Sequence, residues 1–355
     1  MSNKITQFIR EEVLELNAYY VPNSNNLIKL DNMENPYGWE ESVTEEWLEK
    51  IRDVQLNRYP DPEARALQAR LREVMKIPES AGLILGNGSD ELIQMICMSL
   101  AKPGSSVLSV NPSFVMYKML AKFTGMAFHS VDLNDDFSLP IAAMLSRIAE
   151  IQPAVVYLAY PNNPTGNLFD EESICQVIEA SPGLVVIDEA YYAFAGNSFA
   201  KYVDRYDNMM VMRTVSKMGL AGLRLGYMMG NPKWINQFNK VRMPFNINTL
   251  TQVSADFALG HVEMLDLQTE QICRDRELLF EKMSGIDGIQ CYPSKANFIL
   301  FKVKDAVKVY QSLQDNGVLI RNLSSNGGSL TDCLRVTVGA EYENDAFIKA
   351  LQESL

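Results

Sequence analysis

Between residues 82 and 213, five short apolar runs (82–85, 106–110, 154–159, 184–187 and 209–213) alternate with longer stretches patterned for helices, such as 89–100, 114–124 and 171–180. Short runs rich in branched apolar residues read as strands buried on both faces. The helical stretches between them supply the crossovers that parallel neighbours need. This alternation predicts an α/β chain with a mostly parallel central sheet flanked by helices. From about residue 234 the pattern changes. A long charge-laced helical stretch at 261–283 leads to a strand at 296–303, a helix at 306–316, strands at 318–321 and 333–338, and a closing helix at 344–354. That succession predicts a second, smaller α+β domain. The 355 residues, 47% of them hydrophobic, hold ample material for both cores. The expected division is an N-terminal arm over 1–40, a large domain over 41–240 and a small C-terminal domain over 241–355.

Lys and Arg number 32 against 44 Asp and Glu, a formal net charge of −12. Nucleic acids are gripped through many cationic side chains, so no nucleic acid is expected as a partner. An anionic small molecule must instead be held by a few local cations or by backbone dipoles. Arg10, Glu11 and Glu12 interrupt the segment where a secretory leader needs an apolar run, and no run reaches the ~18 apolar residues of a membrane helix. A cytoplasmic protein with no membrane partner is expected. Cys97, Cys175, Cys273, Cys291 and Cys333 form no CxxC pair, and His129 and His261 fall in no ligand pattern. Reduced thiols and no metal site are expected.

In open parallel sheets, ligands bind beyond the carboxyl ends of the strands. Four such ends carry polar residues. After 82–85 a turn with Gly86 and Gly88 brings Ser89 and Asp90 to a helix start, where free N–H groups attract anions, although an ordinary helix cap reads the same way. It lacks the third glycine of a dinucleotide fingerprint and the GK[ST] of a P-loop. After 154–159 comes Asn162-Asn163-Pro164-Thr165-Gly166, equally readable as a tight connection. Asp188 closes the apolar run 184–187, where a carboxylate is costly without a partner. Ser216 and Lys217 follow 209–213, with Arg224 seven residues beyond the lysine. A lysine there, with a depressed pKa, is an imine-forming nucleophile and a proton shuttle. Together, a phosphate cradle, a carboxylate and such a lysine match the needs of pyridoxal 5′-phosphate.

With these residues the chain resembles the fold-type I, pyridoxal-phosphate-dependent aminotransferases, and within their class II subfamily the histidinol-phosphate branch. The likeness runs through MENPYG (33–38), NRYPDP (57–62), LGNGSDELI (85–93), YPNNPTG (160–166), VVIDEAYYAF (185–194), RTVSKMGLAGLRLGY (213–227), VLIRNLS (318–324) and CLRVTVG (333–339). The resemblance implies that Lys217 forms the Schiff base, that Asp188 pairs with the pyridine nitrogen, and that Asn163 and Tyr191 bind the ring oxygen. Phe114 would stack on the ring. Gly88, Ser89, Asp90, Ser216 and Arg224 would bind the phosphate, joined by Tyr59 from the other subunit of a homodimer. Arg335 would grip the substrate anion, with Tyr20, Asn35, Tyr37 and Arg321 completing the pocket. The implied reaction moves the amino group of L-histidinol phosphate to 2-oxoglutarate, giving imidazole acetol phosphate and glutamate, a step of histidine biosynthesis. Aromatic amino-acid transamination and threonine-phosphate decarboxylation are the neighbouring alternatives. Two departures stand out: the loop from Lys217 to Arg224 is one residue shorter than in many relatives, and Met33 replaces the motif's first asparagine.

Overall fold

The structure is a computed structural model and describes residues 4–16, 18 and 22–355. The thirteen strands among those residues are β1 (Ile28–Lys29), β2 (Gly82–Gly86), β3 (Ser106–Asn111), β4 (Ala127–Asp132), β5 (Val155–Ala159), β6 (Leu184–Asp188), β7 (Met209–Thr214), β8 (Gly226–Gly230), β9 (Ile289–Cys291), β10 (Phe298–Val303), β11 (Val318–Leu319), β12 (Arg321–Asn322) and β13 (Cys333–Thr337).

Seven strands form the large sheet in the order β2-β8-β7-β6-β5-β3-β4, in which only β8 runs against its neighbours. The mostly parallel α/β sheet is therefore present. Every residue of β5, β6, β7 and β8 is buried, because helices cover both faces and leave no solvated side to alternate toward. Side chains still alternate between the two cores. Leu184 and Val186 join the core that holds Tyr117 and Tyr157, whereas Val185 and Ile187 join the core of the opposite face. Asp188 and Glu189 continue that alternation into polar territory, and the active-site geometry follows from it.

Two strands of the large sheet carry weak sequence signals. The edge strand β4 is largely exposed, and β8 begins and ends with glycine. Close approach requires both glycines: a Cβ on Gly226 would stand 2.6 Å from the Ser89 nitrogen, and one on Gly230 would stand 2.3 Å from Met210 Sδ.

The second sheet is antiparallel, in the order β12-β13-β10-β9, with the helices Ala306–Asp315 and Glu341–Ser354 packed on it. Phe298, Phe301, Phe347 and Leu351 centre its core. Parallel pairing of β1 with β11 ties the arm to this smaller unit. The helix Thr249–Gly260 packs on Glu41–Arg52 and Arg65–Val74, and Ala255, Ala258 and Leu259 join the large core. The helix Val262–Ser284 then passes from Leu265 in the large core to Ile272, Leu279 and Met283 in the small one. On packing grounds we propose that the division lies within that helix rather than at 240/241. No helix among the described residues is long and apolar enough to cross a membrane.

Candidate active site

The carboxyl ends of β5, β6 and β7, with the helix start after β2, enclose a cavity of about 120 Å³. Ser89, Asp90, Phe114, Asn163, Asp188, Tyr191, Ser216, Lys217 and Arg224 line it, and Met33, Ala159, Ala190 and Thr214 complete the wall. Nine residues singled out from the sequence thus converge on one space.

Asp188 is buried at the end of β6. Its Oδ2 accepts a 2.6 Å hydrogen bond from the Tyr117 hydroxyl, and its Oδ1 accepts one of 3.1 Å from the Ala190 N–H. Desolvation pushes the carboxyl up to about 6, while the Tyr117 and Ala190 donors pull the other way. Tyr117 itself lies under the site, its ring stacked on Tyr157 at 4.7 Å. Its spacing from Phe114 reads from sequence as an ordinary helix core position, so its link to Asp188 was not anticipated.

Lys217 follows β7 in a short 3₁₀ turn that ends at Gly219, whose φ of 115° suits glycine. Its Nζ donates to the Asn32 carbonyl at 2.9 Å. Burial first, then the Arg335 and Arg224 charges, lower its pKa to about 8, against the opposing pull of Glu34 and Asp90. An amine so placed is partly neutral near physiological pH and can act as a nucleophile.

The helix Ser89–Leu100 points its N-terminus into the cavity, entered through Gly88 at φ 82°. Arg224 takes a left-handed conformation, φ 50°, and so brings its guanidinium over this turn despite the shorter loop. A Cβ on Gly88 would meet Arg224 Nη2 at 2.7 Å, and the same Nη2 stands 3.8 Å from Asp90 Oδ2. Asp90 Oδ1 is buried with no hydrogen-bond partner among the described residues. Ser216 accepts a 2.8 Å hydrogen bond from Thr214 Oγ1.

The two units meet at Asn163. Its Nδ2 donates to the Tyr191 hydroxyl at 3.1 Å, and its Oδ1 accepts from Arg335 Nη1 at 2.5 Å. Arg335 Nη2 also donates to the Asp31 carbonyl at 3.1 Å, and its guanidinium lies 5.2 Å from the centre of the Phe298 ring. Arg321 stands directly opposite Arg335 in the β12–β13 register. Like charges so placed repel, and an anion between them relieves the repulsion.

Asn35 and Tyr37 do not line the cavity; they brace its surroundings. Asn35 Nδ2 donates to the Met218 carbonyl at 3.2 Å and to Gln268 at 2.9 Å. Tyr37 donates to Asp275 at 2.8 Å, and burial pushes its hydroxyl up to about 12. Tyr59 is 82% exposed, stacked on Phe245 at 4.6 Å, and is not among the residues lining the cavity of its own chain. Tyr20 lies outside the described residues. On the far face of the sheet, Glu189 and Arg213 form a buried 2.9 Å ion pair under Tyr192, a feature the sequence analysis did not single out.

A mostly parallel sheet with lysine, carboxylate and helix N-terminus converging at its strand ends defines an α/β group-transfer enzyme. The family model for aminotransferase class I and II matches residues 25–351, and the chain belongs to that family. It is 54% identical to histidinol-phosphate aminotransferase 2 of Nitrosococcus oceani over 99% of this chain and 98% of that protein. It is 43% identical to histidinol-phosphate aminotransferase of Chromobacterium violaceum, over 99% of each. Among solved structures, the histidinol-phosphate aminotransferase of Clostridium acetobutylicum superposes with a TM-score of 0.84 at 26% identity, covering 92% of this chain and 98% of that one. That of Sinorhizobium meliloti, in complex with pyridoxal-5′-phosphate, shares the fold at a TM-score of 0.87 and 24% identity, over 98% and 97% of the two chains.

Proposed function

We propose that the chain, with pyridoxal 5′-phosphate in the strand-end cavity, transfers the amino group of L-histidinol phosphate to 2-oxoglutarate, forming imidazole acetol phosphate and glutamate. The observation that carries the reading is the meeting, in one cavity, of Lys217 with its lowered pKa, the buried Asp188 carboxylate, and a helix N-terminus beside Arg224. The residues fit the cofactor. Gly88, at φ 82° with Arg224 Nη2 beside it, leads into the helix start, whose free backbone N–H groups suit a phosphate. Ser89, Asp90 and Ser216 line the same end, and Phe114 offers a flat apolar face to a ring.

Bound there, the cofactor supplies an aldehyde for amines and a ring that takes up the electron pair left when the substrate carbon loses its proton. Lys217 is the residue to hold it covalently. With its amine free, the same side chain would carry a proton to and from the substrate carbon. Asp188 would keep a proton on the ring nitrogen, and Asn163 with Tyr191 would hold the ring oxygen. Arg335, with Arg321 opposite, receives the substrate's anionic group, and the guanidinium fork serves phosphate and carboxylate alike. The names of the relatives support histidinol phosphate as the amino donor. A homodimer in which Tyr59 reaches the neighbouring cavity, and a cytoplasmic location, belong to the same reading.

Replacing Lys217 by Ala should abolish the shift in the cofactor's near-visible absorbance that attachment to the chain produces, and lower turnover by about 10²–10⁴-fold, the usual weight of a positioned acid–base group. An unchanged spectrum and rate would sink the assignment.

A further inference from the structure

We propose that Met33 is a positioning residue of the transfer reaction: held in a left-handed turn by the small unit, it fixes the Asn32 carbonyl as the resting acceptor of the Lys217 amine. The inference rests on reading the strand-end cavity as a transaminase site. Met33 has φ 53°, a region that favours glycine and, after it, asparagine, the residue that Met33 replaces in its motif. Such a conformation persists only where the surroundings enforce it. Two strands of the small unit do so. Thr337, at the end of β13, accepts the Met33 N–H on its Oγ1 at 2.9 Å, and Asn297, just before β10, donates its Nδ2 to the Met33 carbonyl at 3.0 Å. Asn297 is fully buried, and its Oδ1 has no hydrogen-bond partner among the described residues. Burying half of an amide unpaired is costly, and the half that is paired serves Met33.

Three consecutive carbonyls are shared out by this turn. That of Asp31 accepts from Arg335 Nη2 at 3.1 Å, that of Asn32 from Lys217 Nζ at 2.9 Å, and that of Met33 from Asn297. Arg335 and Thr337 lie two residues apart on β13, so one strand holds both the proposed anion grip and the turn that meets the lysine. The Met33 side chain is itself buried in the cavity wall, a place where a thioether costs less than an amide. The charges facing Lys217 are Arg335 and Arg224, which oppose its own, and Glu34 and Asp90, which favour it; the centre of the Tyr191 ring lies 6.0 Å from Nζ. The Asn32 carbonyl accepts best from the charged amine, so it acts with the two carboxylates. Moving that carbonyl away leaves a buried ammonium one acceptor short, and the amine becomes neutral at lower pH.

The test follows capture of pyridoxal 5′-phosphate by the full chain, stripped of cofactor, as a function of pH. Stopped-flow absorbance is read for the native protein, Met33→Asn, Met33→Val, Thr337→Val and Thr337→Ser. Asparagine tolerates the left-handed turn, whereas branched valine does not. Met33→Val and Thr337→Val should lower the capture midpoint by about one pH unit, the order of one hydrogen bond to a charged group. Met33→Asn should keep the native midpoint although it removes the thioether from the wall, and Thr337→Ser should keep it because the hydroxyl acceptor remains. A native midpoint in Met33→Val overturns the inference. So does an equal shift in Met33→Asn, which assigns the effect to the lost side chain. If Met33→Val does not fold, the Thr337 pair decides: a shift in Thr337→Val only supports the inference, and equal midpoints overturn it. In all these outcomes the native protein captures the cofactor and the proposed function stands. Absence of capture by the native protein overturns both readings.

Discussion

Burial drives Lys217 and Asp188 toward their neutral forms from opposite directions, and the neighbours decide how far each goes. For Lys217 the flanking cations Arg335 and Arg224 reinforce desolvation, so the pKa falls to about 8. Its folded pKa lies below its unfolded value, so the unfolded chain binds the extra proton between about 8 and 10.5, and cofactor-free protein gains stability as pH rises through that window. Capture of pyridoxal 5′-phosphate by cofactor-free protein should accelerate with a midpoint near pH 8, read by stopped-flow absorbance. A midpoint close to that of free lysine would contradict the buried-amine account. For Asp188, the Tyr117 hydroxyl works against desolvation. Tyr117→Phe should therefore raise the carboxyl further above 6 and weaken cofactor binding by about tenfold, the weight of one hydrogen bond to a charged group. Tyr157→Phe is the control: it keeps the ring stack and removes a hydroxyl that faces Cys97 rather than Asp188. Equal cofactor affinity in Tyr117→Phe and native protein, measured by fluorescence titration, would dismiss Tyr117 as a support. Lys217, Asp188 and Asn163 were legible in the sequence because each follows an apolar run, where a polar residue needs a reason. Tyr117 was not, because a tyrosine three residues after Phe114 in a helical pattern is indistinguishable from core until the strand end above it is known.

At the scale of elements, the same alternation that sends Asp188 to one face of the sheet sends Glu189 to the other. There Glu189 meets Arg213 of β7 at 2.9 Å, and the guanidinium lies 4.1 Å from the centre of the Tyr192 ring. Glu189 also accepts from the Ser198 hydroxyl at 2.9 Å. This cluster ties the end of β6 to β7 just before Lys217, and so supports the spacing between carboxylate and amine. Arg213→Met should destabilise the fold by about 3–5 kcal/mol, since it strands a buried carboxylate. The paired change Glu189→Leu with Arg213→Met should recover most of that loss, because two apolar side chains leave no uncompensated charge. Urea titration of the three proteins checks both expectations. β5, β6 and β7 were readable as unbroken apolar runs because helices cover both their faces. β4 and β8 were not: exposure thins the apolar signal of the first, and the glycines that let the second approach Ser89 and Met210 read as turns. The helix Thr249–Gly260 was grouped with the small domain because its position in the chain, rather than its partners, is all that sequence displays.

On the scale of the molecule, Arg335 joins the two units through Asn163 and holds the arm through the Asp31 carbonyl, so the proposed grip on the substrate anion and on the cofactor ring share one side chain contact. The acidic balance of the whole chain, −12, does not oppose such a site. It describes the surface, while Lys217 and Arg224 line the cavity where strand ends and helix N-terminus meet, and Arg335 reaches it through Asn163. Tyr59 belongs to this scale too, since it lies exposed on Phe245 instead of lining its own cavity. If it completes the site of a second copy, the lesions Lys217→Ala and Tyr59→Ala fall in different chains of a mixed dimer, and one of its two sites regains both side chains. After denaturation and joint refolding in equal amounts, half the dimers are mixed, so activity should return to roughly a quarter of the native level under random closed pairing. Each variant refolded alone should stay near its own low rate. Sedimentation of the native protein as a monomer, or a joint refold no better than the average of the two variants, would assign Tyr59 to the surface of its own chain.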